Sequence, residues 1–346
     1  MTEPRKPPRI AIYGVGQYGT MIARLATQKG WAVVAAFNRA GPKVGQDLGR
    51  VAGLDRDLGV VVQDKDSGDF EGLEADVGVV THMDLLRHNM DAYRRFMRAG
   101  LNIACHGGQS YLPQTNDPAL AAEIEGLAVT NGVTFTGSGI WDMSRIWAGI
   151  LTAGPCTDIT SLHHRSLTDP EGQLVSLTRG SAFNQPPERF YERGLDQSPV
   201  LLAHKAIPEL VLRALGCHVA ESIAAAEPVV YDVPVMTKLI PEGVFEAGVT
   251  VGVRTKLEVR TEEGVVATAS IEQRMFLPGD VEHMVWEIEG TPRNRMRVER
   301  LDSAAATAGN LFNRIPDIIS AVPGIVPVTE LGPLRSSANR WPRSER

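Results

Sequence analysis

The sequence predicts an α/β protein: an N-terminal doubly wound parallel sheet, then an α+β domain with a mostly antiparallel or mixed sheet. Three observations predict it. Short apolar runs alternate with helical stripes through residues 1–150. The glycine pattern Gly14-Val15-Gly16-Gln17-Tyr18-Gly19 joins the first run to the first stripe. Beyond residue 150, strands follow strands, and one strong helical stripe returns near the C-terminus.

The elements follow in order. Residues 9–13 are a short apolar strand, and Met21, Ile22 and Leu25 recur at helical spacing up to a C-capping Gly30. Residues 31–37 form a continuous apolar run, as a strand buried on both faces requires. Val44, Leu48 and Val51 mark a second helix, residues 60–62 a short strand and residues 77–80 a clear one. Leu86, Met90, Tyr93 and Met97 form a stripe ended by Gly100, followed by a strand at 102–105. Asp117-Pro118 is a cap and first-turn pair ahead of Leu120, Ile124 and Leu127, and residues 134–136 are the next strand. In the second domain, strands are expected at 159–163, 229–239, 248–261, 265–276 and 283–289, with a hairpin turn at Thr261-Glu262-Glu263-Gly264. A helix is expected at 201–215, and the polar stretch 169–187 is long enough for a functional loop. Leu311, Ile315 and Ile318 share one face of a final helix at 303–319, expected to return to the first domain, with a tail after it. The expected domains are therefore 1–150, 151–302 and the returning segment 303–346.

Composition narrows the functional classes. The 346 residues are 43% hydrophobic, enough for real cores, and 41 acidic against 35 basic residues leave a net charge of −6. That balance argues against a dedicated nucleic-acid binder, which needs a clustered positive field. No apolar run approaches the roughly 18 residues needed to span a bilayer. The polar N-terminus has no signal-peptide core, and Cys105, Cys156 and Cys217 have neither disulfide-framework nor zinc spacing. A reduced, cytoplasmic protein without a metal is expected.

The glycine turn carries the sharpest chemistry. In a strand–turn–helix context the first glycine allows the tight turn and the second lets the backbone approach a pyrophosphate. The third lets helix and strand pack closely. The helix N-terminus supplies free N–H groups and the positive end of the dipole. This is a Rossmann-type dinucleotide site built on Gly14, Gly16, Gln17, Tyr18 and Gly19. The second strand ends in Phe37-Asn38-Arg39, without the carboxylate that an NAD-specific ribose site wants. Asn38 is a neutral hydrogen-bonder, while Arg39 and nearby Lys43 suit a 2′-phosphate, so NADP is preferred and NAD remains possible.

In a doubly wound sheet ligands lie beyond the carboxyl ends of the strands. The candidates there are Thr81 and His82, then His106 and Tyr111 around Gly107-Gly108, then Asp142 after Gly137-Ser138-Gly139. Thr81, His82 and His106 are placed beside the cofactor; His106, Tyr111 and Asp142 are candidate proton donors or acceptors. His163 and His164, at the start of the second domain, rank slightly ahead as the acid–base group, although neighbours on a strand face opposite ways.

The dinucleotide turn, Gly137-Ser138-Gly139, Asn313-Arg314-Ile315-Pro316 and Ala321-Val322-Pro323-Gly324-Ile325 together resemble the 2,4-diaminopentanoate dehydrogenases and native amine dehydrogenases. That group is related to dihydrodipicolinate reductase. The resemblance spans nearly the whole chain and implies hydride transfer at a C–N bond with NAD(P), a cofactor contact from Asn313, and a second domain that contacts substrate and forms a homodimer. It also implies a Glu-Glu step after the fifth strand, one carboxylate of which is the acid–base group; the matching residues here are Gly107 and Gly108. His163-His164 with Asp169-Pro170 and Gly172 is similar to part of the reductase's substrate motif, with Leu167 at its lysine position. The expected function is an NAD(P)H-dependent oxidoreductase acting at an amine or imine of a small substrate. An NADPH-dependent ketone or aldehyde reductase is the alternative, since it needs no carboxylate to activate ammonia; a non-catalytic NADP-binding protein is the other.

Overall fold

The computed structural model of the chain describes residues 6–172 and 182–336. Residues 173–181 of the expected polar loop, and the tail from 337, lie outside the described residues. The chain divides into two compact units, Met1–Asp142 with Ala305–Arg346, and Met143–Ala304.

The first unit is built on a seven-stranded, wholly parallel sheet. Its strands are β1 (Arg9–Tyr13), β2 (Ala32–Asn38), β3 (Val62–Asp64), β4 (Val77–Val80), β5 (Asn102–Cys105), β6 (Thr134–Gly137) and β15 (Gly324–Ile325), in the order β15-β6-β5-β4-β1-β2-β3. The order reverses between β1 and β4, which is where such sheets bind ligands. Alternation along β1 explains the two layers. Ile10 and Ile12 pack under helices Gln17–Lys29 and Ser303–Ile319 with Ile22, Ala26, Leu311, Phe312, Ile315 and Ile318. Ala11 and Tyr13 face helices Leu86–Arg98 and Pro118–Thr130, through Met90, Tyr93, Phe96, Met97 and Ile124.

Local signals account for the boundaries. Gly30 caps the first helix in the left-handed region at φ 70°, and the Asp117 carboxylate accepts the Leu120 N–H at 3.1 Å ahead of Pro118. The helix expected from Val44 to Val51 is shorter than its apolar spacing suggests. Val44 lies in a turn, Gly45 takes φ 85°, and only Leu48–Val51 is helical. Asp47 fixes that start by accepting the N–H groups of Gly49, Leu58 and Val60.

The second unit holds a six-stranded mixed sheet of β7 (Asp158–Thr168), β8 (Val219–Val230), β11 (Thr250–Thr261), β12 (Val266–Arg274), β13 (His283–Thr291) and β14 (Asn294–Glu299). Their order is β14-β13-β7-β12-β11-β8, and only β7 and β12 run parallel. A two-stranded ribbon pairs β9 (Val235–Met236) with β10 (Val244–Phe245). The strand expected at 229–239 is displaced: β8 begins ten residues earlier, at Val219, and ends at Val230. Its Ala- and Glu-rich first half has little strand propensity, and pairing along the whole of β11 decides its state. Pro228 is tolerated because β8 is an edge strand. β14, at the opposite edge, escapes an apolar search because it reads Asn-Arg-Met-Arg-Val-Glu, the charged character that protects a sheet edge. The helix expected at 201–215 is split into Pro199–Leu202, a 3₁₀ turn and Ala206–Ala214.

Candidate functional site

The glycine turn bridges the end of β1 and the helix Gln17–Lys29. Gly14 has φ 98°, and a Cβ there would lie 3.0 Å from the His82 backbone. A Cβ on Gly19 would lie 2.1 Å from the Gly14 carbonyl oxygen. Both positions therefore need glycine for packing. Gly16 differs: it is exposed, and nothing stands within 4 Å of where its Cβ would be. That free space lies at the N-terminus of a 13-residue helix with no acidic residue in its first turn. The arrangement fits a pyrophosphate on backbone N–H groups.

Neighbouring side chains stiffen the turn. Thr81 Oγ1 donates to the Gly14 carbonyl at 2.6 Å, and Asn38 Oδ1 accepts the Val15 N–H at 3.1 Å. Lys43 Nζ donates to the Val15 carbonyl at 2.6 Å, which sets an ammonium against the turn. Thr81, Asn38 and Lys43 thus act on the shape of the turn, while Arg39 beside them is exposed.

The strand ends bring several candidates to the same edge of this sheet. His106 follows β5 and packs its ring against Tyr18, 4.7 Å between centroids. Its Nδ1 is buried without a hydrogen-bond partner, and burial lowers its pKa against the opposing charge of Asp84. His82 packs edge-on against Tyr13 at 5.7 Å; burial lowers its pKa, reinforced by Lys65 and Arg39. Gly107 has no room for a side chain, because its Cβ would lie 2.8 Å from the Met83 carbonyl oxygen and 2.9 Å from that of Asp84. Tyr111 is buried, stacks on Trp141 at 5.0 Å, and its hydroxyl accepts the Trp141 N–H at 3.2 Å.

Asp142 is fully buried in an ion pair. Arg314 donates to it from Nε at 3.0 Å and from a terminal nitrogen at 2.7 Å, and Ser138 Oγ donates at 2.9 Å. Burial pushes its carboxyl up even against the Arg314 charge. Arg314 also donates to the Gly332 carbonyl at 2.9 Å. Asn310 Nδ2 donates to the Gly139 carbonyl at 2.9 Å, and Asn313 sits half-buried beside Arg314. Sequence reasoning passed over Arg314 as a structural group. The signal was present: an arginine at 314 lies on the same helical face as Leu311 and Ile318.

In the second unit, His163 and His164 take opposite faces of β7, as adjacent strand residues must. Both His163 nitrogens are engaged, Nε2 with Ser161 Oγ at 3.0 Å and Nδ1 with Thr268 Oγ1 at 2.8 Å. His164 is buried, stacked on Trp286 at 4.6 Å, with Nδ1 on the Val285 carbonyl at 3.0 Å. Burial, reinforced by Arg145, holds its pKa well below the ordinary histidine value. Among the described residues no group of three His, Cys, Asp or Glu side chains is placed to hold a metal ion, and no helix is long and apolar enough to cross a membrane.

No family model matches the chain. It is 26% identical to the 2,4-diaminopentanoate dehydrogenase of Acetoanaerobium sticklandii over 271 residues, 74% of each protein. Its fold superposes on an amine dehydrogenase from Mycobacterium smegmatis with a TM-score of 0.85 and 27% identity, covering 96% of this chain and 98% of the other. A biliverdin reductase from Synechocystis, solved with biliverdin and NADP+, shares the fold at a TM-score of 0.55 and 12% identity, covering 94% of this chain and 95% of that one. With the glycine turn, the parallel sheet and the mixed second sheet in place, the chain is an oxidoreductase similar to the 2,4-diaminopentanoate and amine dehydrogenases.

Proposed function

We propose that the chain is an NADPH-preferring oxidoreductase that transfers hydride at the C–N bond of a small amine or imine. The observation that carries this reading is the bare backbone at Gly16, flanked by Lys43 and the exposed Arg39, at the reversal point of the sheet. A bound nicotinamide would supply the hydride. Gly14, Gly16, Gln17, Tyr18 and Gly19 would hold its pyrophosphate, Arg39 its 2′-phosphate, and Asn313, His82 and His106 would border its remainder. His106 is the proton donor we favour in the first unit: it is a half-exposed imidazole at this edge whose buried Nδ1 has no hydrogen-bond partner. His163, with both nitrogens engaged, and His164, deep in the core, rank below it. Tyr111 and Asp142 have structural partners already.

Reduction of a plain ketone or aldehyde remains the second reading, favoured by one observation: Gly107, at the resemblance's carboxylate step, has no space for any side chain. Following NADPH oxidation over a panel of small carbonyls, with and without ammonia, separates the two. Ammonia-dependent oxidation supports the first; oxidation indifferent to ammonia supports the second; tight NADPH binding with no oxidation indicates a binding protein. In the same assays Arg39→Ala should weaken NADPH by about 1–3 kcal/mol and leave NADH nearly unchanged, as for one charge-assisted hydrogen bond. Equal wild-type affinities for the two cofactors would reject the preference.

We also propose a homodimer formed through the second unit's sheet. The face of that sheet that carries Arg254, Lys256, Glu227 and Glu272 is a lattice of opposed charges, suited to meeting its own copy. Sedimentation at micromolar concentration should give twice the chain mass; a monomer would reject it. Three unpaired cysteines suit a reducing cytoplasm.

A further inference from the structure

Past the end of β4, the segment Met83-Asp84 is fastened to the loop that follows β5. The Asp84 carbonyl accepts the Gln109 N–H at 3.3 Å, Asp84 Oδ1 accepts the Gly108 N–H at 3.3 Å, and Gln109 Oε1 accepts the Leu86 N–H at 3.0 Å. Asn89 Nδ2 holds the Met83 carbonyl at 2.7 Å. The approach is close enough to fill the space of a Gly107 side chain. The result is a fixed, half-buried carboxylate that makes no ion pair with any described Lys, Arg or His side chain within salt-bridge distance.

The imidazole two residues before Gly108 is equally uncommitted. His106 Nδ1 is buried without a hydrogen-bond partner, which leaves Nε2 as the ring nitrogen open to solvent. Protonating this ring puts an N–H on Nδ1 in a site that offers it no acceptor, a cost that only a nearby negative charge offsets. Of the elements packed around it, the β4 end contributes Asp84 and the first helix contributes the Tyr18 ring.

We propose that Asp84 is a positioning residue for His106: anchored on the Gly108 N–H, its carboxylate holds the imidazole in a form that can give up a proton from Nε2. This rests on the reading of the chain as a reductase. In that step a bound NADPH would supply hydride to the carbon of a C=N or C=O bond and leave as NADP+, while the proton from Nε2 would complete the N–H or O–H bond; His106 would be left neutral and take its proton back from solvent.

The sign of the effect is fixed. Asp84 favours the imidazolium, so removing its charge lowers the His106 pKa further. The test is a pH titration of His106 by NMR in the whole, cofactor-free chain, its resonance identified by loss in His106→Gln. Asp84→Asn keeps an acceptor for the Gly108 N–H. It should move the His106 midpoint to lower pH, lower reductive kcat at pH 7 by about tenfold, and shift the alkaline limb of the kcat profile downward, with NADPH affinity within about twofold. Asp84→Glu should restore the midpoint in part. An unchanged His106 midpoint in Asp84→Asn overturns the proposal, as does an Asp84→Asn effect on kcat that persists undiminished in the His106→Gln background. A chain that neither binds nor oxidises NADPH rejects the reductase reading instead, while the titration still decides whether the two groups are paired.

Discussion

Replacing Arg314 with leucine should destabilise the first unit by about 3–5 kcal/mol, the range for breaking a buried ion pair by removing one partner. Both side chains are fully buried, and among the described residues Asp142 would keep the Ser138 hydroxyl as its remaining side-chain donor. The Gly332 carbonyl would lose its guanidinium donor as well. The loss is read as a lower free energy of urea unfolding, with the linear slope unchanged. The double variant Asp142→Leu with Arg314→Leu should recover much of it, because the largest cost is the stranded carboxylate rather than the missing attraction. A single-variant loss below about 1 kcal/mol would show that Asp142 is comfortable without Arg314, through protonation or water.

Gly19→Ala should weaken NADPH binding by at least about a hundredfold. Its new Cβ would fall 2.1 Å from the Gly14 carbonyl oxygen, well inside any permitted contact, and that atom is backbone rather than a yielding side chain. Relief requires the turn to open, and opening breaks the Thr81 and Asn38 bonds that fix Gly14 and Val15. Gly16→Ala is the informative comparison. Its Cβ meets no protein atom, so the free protein should keep its stability while the space meant for a phosphate is filled. Calorimetric titration with NADPH, alongside thermal unfolding, separates the two. Affinity retained in both variants would mean that the turn does not hold the cofactor.

Most of the first unit's sheet was legible because β1, β2, β4 and β5 are compact apolar runs between turn residues; β3, reading Val-Gln-Asp, starts two residues later than expected, and the two-residue β15 carries no strand signal of its own. Residues 77–80 and 102–105 fall on β4 and β5 to the residue. Positions whose state is set by distant partners were not legible. The first half of β8 has a helix-forming composition and is a strand only because β11 lies beside it. The candidate site divides in the same way. A glycine turn declares itself by spacing, but the engagement of both His163 nitrogens depends on Ser161 and on Thr268, 105 residues away. Asp84 gave no signal in sequence, since a single acid after a strand is ordinary; only its approach to Gly107 and Gly108 distinguishes it.

The discontinuity of the first unit has a consequence for synthesis. Residues 143–304 are a continuous stretch, whereas the layer under Ile10 and Ile12 needs Leu311, Phe312, Ile315 and Ile318, and the sheet needs Gly324–Ile325 for its last strand. A ribosome adding about 5–20 residues per second leaves the N-terminal sheet waiting on the order of ten to forty seconds for these pieces. Through that interval Asp142 has no Arg314, one face of the sheet lacks its second helix, and the outer edge of β6 has no neighbour. The segment made first is therefore the last to be finished, and the nascent chain passes through a stage in which its dinucleotide turn already exists but the structure that supports it does not.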